Sequence, residues 1–391
     1  MIFCQKIRTA KVIRILLTIV RFLSSALVTI LPRKKNIWLF SSWMGRKSND
    51  NPKAVYDYMK QDKQIRCIWI CKCYQELERL TNNDSEAYYY KSLRGIYYQS
   101  IAGTIFFTHG VISEFNSAFI GFTTRRVNLW HGMPIKKIGF DDVNYVNRTP
   151  FESKRWYLIL RNEVHDYYVS VGEVCTNILA SAFLVDKRKI LEFGFPRNDK
   201  LQSNYDYGER IAESRTKVLY MPTFKKNQSG NYDIDIDAEF LIKKSSELNI
   251  EFYIKPHPMS TIDKTTLDNI SDCESVFILK TDDIYDDLPF FDVLISDISS
   301  VIFDFALLER TILLFSPSFD EYLSTNRAVY EYSKIISRYM ITDWNDLFDT
   351  IKSKDNTKNF SIEALNFHAN RADKFSATKK LCSYLTKSHY V

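Results

Sequence analysis

The chain has 391 residues, 45% hydrophobic and 26% charged, and carries a net charge of +6 from 53 basic and 47 acidic side chains. That composition excludes a disordered chain, and the length exceeds what one ordinary core organises, so two domains are expected. The modest positive balance suits a phosphorylated substrate or an anionic membrane surface better than duplex DNA, and no nucleic-acid partner is expected.

The first element is a helix. In residues 7–32, Lys11, Arg14, Thr18, Arg21 and Ser25 fall on one polar stripe, and Ile13, Leu16, Leu17, Val20, Leu23 and Leu27 fill the rest of the circumference. The longest charge-free run, Phe22 to Pro32, is 11 residues, too short to cross a bilayer core. Arg21 interrupts the apolar region and no small-residue cleavage site follows, which argues against a signal peptide. An amphipathic helix lying on an anionic leaflet is expected, with "RKK" at 33–35 as a second anchor; a helix packed on its own protein is the alternative.

From Asn36 short apolar runs alternate with helical stretches. "NIWLFSSW" and "IRCIWICKC" read as strands with "NPKAVYDYMKQ" helical between them, and "GTIFFTHG" and "RRVNLWHG" as two more, each ending in His-Gly. Residues 153–184 show helical periodicity, and "KILEFGFPRNDKL" gives a strand and a loop. Beyond a polar segment near 200–216 the scheme recurs: strands in "TKVLYMPTF", "IEFYIKPHP", "SVFILKT", "FDVLISD" and "TILLFSPS", helices in "DAEFLIKKSSELN" and "ISSVIFDFALLE". Such alternation predicts an α/β protein with parallel sheets covered on both faces. The expected organisation is a surface helix over 1–35, then two doubly wound domains, 36–205 and 206–391, facing across a cleft, with the last helix free to pack back on the first. Ligands of such sheets sit beyond the carboxyl ends of the strands, where every motif below lies.

Seven cysteines without framework spacing argue against a disulfide scaffold, and the chain reads as intracellular. Cys67, Cys71 and Cys73 lack a Cys-x-x-Cys knuckle and a second ligand pair, so they read as a buried strand. "DIDID" at 233–237 follows the polar "NQSGNY", and Ala238 stands where an EF-hand loop needs glycine; a solvated loop is expected. No P-loop, Gly-x-Gly-x-x-Gly or Gly-x-Ser-x-Gly is present, which leaves ATP hydrolysis, hydride transfer and esterase chemistry without support. Neither a metal nor a cofactor is expected.

Four stretches carry chemistry. Ser299 and Ser300 open a helix, where hydroxyls and orphan N–H groups can hold phosphate; plain N-capping is the alternative. In "YIKPHP", Pro256 and Pro258 fix His257 in an extended turn beside Lys255, suited to a diphosphate or simply to a turn. Arg197 of "GFPRNDKL" suits a bidentate phosphate contact, with an Arg–Asp loop pair as the alternative. His131 of "NLWHGMPIKKIGFDD" and His109 each end a strand ahead of a glycine that permits close approach. His131 is a candidate general base, with Asp141 and Asp142 to orient the ring or bind hydroxyls; a packed structural histidine is the alternative.

Together, "SSWMGRKSNDNPKAVYDYM" (41–59), "NLWHGMPIKKIGFDD" (128–142), "GFPRNDKL" (194–201), "MPTFKK" (221–226), "YIKPHP" (253–258) and "SDISSVIFDFALL" (296–308) resemble the CDP-glycerol glycerophosphotransferase family of teichoic-acid primases and polymerases. The resemblance implies a GT-B-like pair of Rossmann-like domains, peripheral at the cytoplasmic face of the membrane. It implies transfer of glycerol phosphate or ribitol phosphate from a CDP-polyol to a hydroxyl of a lipid-linked or glycan acceptor, releasing CMP, in teichoic-acid or capsular polymer synthesis. His131 would then be the base, with His257 as the second catalytic residue. Arg197, Thr223, Lys225, Lys255, Ser299, Ser300 and Asp304 would hold the donor, and Lys136, Lys137, Asp141 and Asp142 would serve the acceptor. Where the family often has Pro-Thr-Trp-Arg, this chain has Pro-Thr-Phe-Lys, which leaves the donor polyol open. A homo-oligomer is compatible with this reading. Two other readings stay open: a GT-B glycosyltransferase using a nucleotide sugar, and a non-catalytic membrane-bound binding protein of the same fold.

Overall fold

The computed structural model describes residues 2–146, 155–203, 215–223, 237–256, 264–281, 283–317, 328–369 and 371–387, with Ser260, Ile262 and Phe319. The chain divides into two compact units. One comprises Met1–His131, Gly139–Asp199 and Ser376–Val391; the other comprises Gly132–Ile138 and Lys200–Phe375.

In the first unit the apolar runs form β1 (Lys34–Phe40), β2 (Arg66–Cys71), β3 (Ala87–Tyr89), β4 (Ala102–Phe107), β5 (Arg125–Asn128), β6 (Tyr167–Val169) and β7 (Ile190–Leu191). They make one parallel sheet in the order 3-2-1-4-5-6-7. Both faces are covered, so β2 and β4 are buried almost end to end, as strands of all-parallel sheets are. One face packs Ile37, Leu39, Ile68, Ile70, Ile105 and Phe107. On the other, Phe40 stacks on Phe106 with ring centroids 4.9 Å apart. Cys67 and Cys71 are buried free thiols on β2.

Residues 153–184 are not one helical stretch. Where they are described, a helix at Arg155–Leu160 and another at Glu173–Phe183 flank β6. Three residues are too few for a period-2 signal to register, and the pairing of β6 with β5 and β7 decides its state.

The second unit repeats the plan with β8 (Thr216–Met221), β9 (Ile250–Ile254), β10 (Val276–Ile278), β11 (Val293–Ser296), β12 (Thr311–Phe315) and β13 (Met340–Ile341), a parallel sheet ordered 10-9-8-11-12-13. Val218, Tyr220, Phe252, Ile295, Leu313 and Phe348 centre its core. In each sheet the order reverses beside the first strand, between β1 and β4 and between β8 and β11. That reversal leaves a crevice at the carboxyl ends, where a ligand can enter between diverging loops.

The N-terminal helix runs Ile2–Val28. It docks through two residues of its polar stripe: Thr18 and Ser25 are buried while Arg21 is exposed, Ser25 Oγ donates to the Ser117 carbonyl at 2.7 Å, and Asn162 Nδ2 donates to Ser25 Oγ at 3.2 Å. Just beyond its end, Thr29 Oγ1 accepts from the Phe122 N–H at 2.8 Å. Leu16, Leu17, Val20, Leu23, Leu27 and Ile30 are exposed, Leu27 by 69% and Ile30 by 81%. A water-facing helix turns its apolar stripe inward; this one presents it outward. Among the described residues no helix is long and apolar enough to cross a membrane.

Candidate active site

The strand ends at the first reversal carry two imidazoles. β4 leads into Thr108-His109-Gly110, and β5 leads into Leu129-Trp130-His131-Gly132. The rings of His109 and His131 stack with centroids 4.4 Å apart and planes 10° from parallel. The indole of Trp130 lies 4.2 Å from the His131 ring, and that of Trp43, just past β1, lies 6.0 Å away.

Thr108, fully buried, orients both rings. Its carbonyl lies 3.4 Å from His131 Nδ1, so that nitrogen carries the proton and Nε2 keeps its lone pair. Its hydroxyl donates to Glu114 Oε1 at 2.7 Å and stands 2.8 Å from His109 Nδ1. With its one hydrogen committed to the carboxylate, the hydroxyl can only accept from His109. The His131 ring, partly exposed, has its pKa pushed down to about 3 by burial, then by the neighbouring His109 and by Arg197. It is neutral at physiological pH. An imidazole of fixed tautomer with a free Nε2 lone pair has the form a general base requires.

The turn that presents His131 is held from the start of the Asp50–Met59 helix. Asn51 Nδ2 donates to the carbonyls of Leu129 and Trp130 at 3.1 and 3.0 Å, and its Oδ1 accepts from the Arg197 N–H at 3.1 Å. Arg197 Nη1 donates to Asp50 Oδ1 at 2.7 Å and to the His131 carbonyl at 3.1 Å. Both partners of this ion pair are buried. Trp43, Met44, Asp50 and Trp130 all have positive φ, between 47° and 65°. Left-handed backbone at four side-chain-bearing residues costs of order 1–3 kcal/mol each and persists only where the surroundings impose it. For Asp50 and Trp130 the surroundings are these buried polar grips, and for Trp43 the bond from its N–H to Thr108 Oγ1 at 3.2 Å.

Arg197 is therefore a builder of the His131 turn, buried against Asp50, and not a guanidinium standing free in a loop. Asp141 accepts from Ser181 Oγ at 2.5 Å, and Asp142 Oδ1 accepts from the Asn144 N–H at 3.0 Å. Neither is the group that orients His131; the Thr108 carbonyl does that. Lys136 and Lys137 lie in the Gly132–Ile138 segment of the second unit. There the Lys137 N–H donates to the Ala328 carbonyl at 2.8 Å and the Tyr330 N–H to Ile135 at 3.0 Å. Asp50, Asn51, Thr108 and Glu114 received no role from sequence. An Asp-Asn-Pro helix start was the available signal for the first two; nothing local marks the others.

At the second reversal, the buried Asp297 follows β11. It accepts from the Thr223 N–H at 3.1 Å and from Thr223 Oγ1 at 2.6 Å, tying the β8 exit to the β11 exit. Ser300 occupies the N-cap of the Val301–Ala306 helix without a side-chain cap bond, so its hydroxyl is not spent on capping as the plainer sequence reading expected. Ser299 and Ser300 are half-buried, as is Lys255 at the β9 exit, whose N–H donates to the Tyr220 carbonyl at 2.9 Å. Asp304 points into the core side of its helix, buried, and accepts from Tyr285 Oη at 2.7 Å. Lys225, His257 and most of "DIDID" lie outside the described residues. Asp237, the last residue of that run, is the N-cap of the Ala238–Glu247 helix.

Comparison with known proteins adds three observations. A family model described as CDP-Glycerol:Poly(glycerophosphate) glycerophosphotransferase matches residues 23–382. The chain is 28% identical over 365 residues to the teichoic acid glycerol-phosphate transferase of Staphylococcus aureus, covering 86% of this chain and 88% of that protein. It is 27% identical over 352 residues to the teichoic acid poly(glycerol phosphate) polymerase of Bacillus spizizenii, covering 85% and 87%. In three dimensions it resembles the wall teichoic acid polymerase TagF at a TM-score of 0.74 and 22% identity, over 99% of this chain and 97% of that one; that likeness shows the fold.

Proposed function

The chain belongs to the CDP-glycerol:poly(glycerophosphate) glycerophosphotransferase family, and from that premise we propose that it transfers a polyol phosphate from a CDP-polyol to an acceptor hydroxyl in teichoic-acid synthesis. Glycerol phosphate is the first expectation for the donor, ribitol phosphate the second, and the acceptor is a lipid-linked or glycan hydroxyl. The observation that carries the reading is the neutral His131, its Nδ1 pinned on Thr108 and its Nε2 free.

In the reaction the acceptor oxygen attacks the polyol-bearing phosphorus, a new O–P bond forms, the diphosphate bridge breaks, and CMP leaves with the bridging oxygen. The hydroxyl proton passes to His131 Nε2. A weakly basic imidazole suffices, because a loose phosphoryl transfer builds little charge on the nucleophile until late. The hydroxyls of Ser299, Ser300 and Thr223 and the ammonium of Lys255 supply donor contacts, with His257 assigned to the diphosphate and Lys225 to donor binding by family resemblance. Cationic and hydrogen-bonding groups can carry the developing charge.

The test is direct. Purified protein is incubated with CDP-glycerol, CDP-ribitol and a UDP-sugar in the presence of a glycerol-phosphate-ended acceptor, and CMP is measured. Release of CMP from a CDP-polyol is expected; turnover confined to the UDP-sugar refutes the reading.

The outward apolar face of the Ile2–Val28 helix supports peripheral attachment to a membrane surface. Thr18 and Ser25 of its polar stripe are taken up by the protein, so the leucines and isoleucines are left for the acyl boundary. Exposed Trp156 and Ile159 on the Arg155–Leu160 helix add a second apolar element in the same unit. Replacing Val20, Leu23 and Leu27 by serine should release the protein from anionic vesicles while leaving the melting temperature unchanged. Retained vesicle binding would place the attachment elsewhere.

A further inference from the structure

His109 and Glu114 have no place in the reaction as written, yet the structure commits much to them. Glu114 is fully buried, and its carboxylate accepts from the Thr108 N–H at 3.2 Å, the Thr108 hydroxyl at 2.7 Å and the His109 N–H at 2.7 Å. A second carboxylate, Glu163, accepts from the Val111 and Ile112 N–H groups at 2.9 and 2.7 Å. Lys72 Nζ donates to the carbonyls of Ile112 and Ser113 at 2.9 and 2.7 Å. Three charged side chains thus immobilise a loop of seven residues, 108–114, which presents the partly exposed imidazole of His109. Burying charge to hold a loop is costly unless position matters.

The position is specific. Thr108 takes His109 by Nδ1 through its hydroxyl and His131 by Nδ1 through its carbonyl. With the rings 4.4 Å apart and 10° from parallel, both Nε2 edges lie on the side away from Thr108. Two hydrogen-bond acceptors side by side match two hydroxyls on adjacent carbons, and a chain end carrying glycerol phosphate has such a pair.

We propose that His109, positioned by Glu114 and Thr108, determines acceptor specificity: while His131 takes the proton of the reacting hydroxyl, His109 Nε2 accepts a hydrogen bond from the hydroxyl on the next carbon. The site then selects acceptors that end in a vicinal diol. This rests on the polyol-phosphate transferase reading above.

The experiment compares two acceptors, one ending in glycerol phosphate and one ending in 3-hydroxypropyl phosphate, which lacks only the neighbouring hydroxyl. In the native protein the diol should be preferred by about tenfold in kcat/KM, the size expected for one hydrogen bond. In His109→Phe, which keeps the ring stack and removes the acceptor atom, the ratio should fall to about one. In His109→Gln, which restores an acceptor oxygen, it should recover in part. Glu114→Gln should lie between native and His109→Phe. A ratio that stays at about ten in both His109 variants overturns the proposal, and so does a native ratio near one. Absence of CMP release from every CDP-polyol in the native protein would instead refute the parent reading. A merely structural His109 would lower both rates together and leave the ratio where it was.

Discussion

The two sheets have the same plan and end in different kinds of site. At the exits of β1, β4 and β5 the side chains that shape the site are already engaged: Asn51 with two carbonyls, Arg197 with Asp50 and His131, Glu114 with three donors. At the exits of β8, β9 and β11, the Asp297–Thr223 tie holds the frame, while Ser300 spends no hydroxyl on capping its helix. A group that moves a proton must be held in one tautomer and one direction before the substrate arrives. Groups that grip an anion are better left to be satisfied by it, since bonds already made inside the protein would have to be broken first.

The sharpest way to break this contrast is to remove the base. His131→Ala should lower kcat by about 10²- to 10⁴-fold, the range of general-base contributions, with little change in melting temperature. In the native protein the ring accepts a proton only when the pH falls to about 3, against about 6.5 for an ordinary histidine. The acid limb of kcat/KM should accordingly sit well below pH 6. Between those values the unfolded chain binds a proton that the folded one refuses, so this residue lowers stability as the pH drops through that window. An acid limb near 6.5 would show that another group is the base.

The engaged side should also be the one that stability reports. Asp50→Ala strands Arg197 in a buried position, and breaking such a pair costs about 3–5 kcal/mol; calorimetry should show a large drop in melting temperature. On the other sheet, the Ser299→Ala/Ser300→Ala double variant should leave stability within about 0.5 kcal/mol, since no cap bond is lost. Its effect should appear as a several-fold rise in KM for the donor. If the serines prove costly for folding and neutral for KM, the contrast between the two sheets fails.

Legibility in the sequence followed the length of the signal. β1, β2 and β8 carry unbroken apolar runs of four or five residues and are evident. β6, three residues between two helices, reads as part of a helical stretch in sequence because its state is decided by β5 and β7. The polar stripe of the first helix was plain as a period, but which way it faces was not; Ser25 turns inward because Ser117 and Asn162 meet it there. His131 was marked by its neighbours Trp130 and Gly132, whereas Glu114 looked like any helical glutamate.

What the sequence determined by itself is what periodicity and local motif can carry: the alternating α/β plan, the placing of histidine, lysine and serine motifs at strand ends, and membership in a family of polyol-phosphate transferases. The tertiary structure decided which of those residues do which work. Arg197 could have met a phosphate or an acid in its own loop; it meets Asp50, 147 positions away. The partner of the His131 ring is Thr108, 23 positions upstream, and not the nearby aspartates. Hydrogen bonds and ion pairs are short-range in space and indifferent to separation along the chain, so the order of strands in the sheet, which no local pattern encodes, selects the partners.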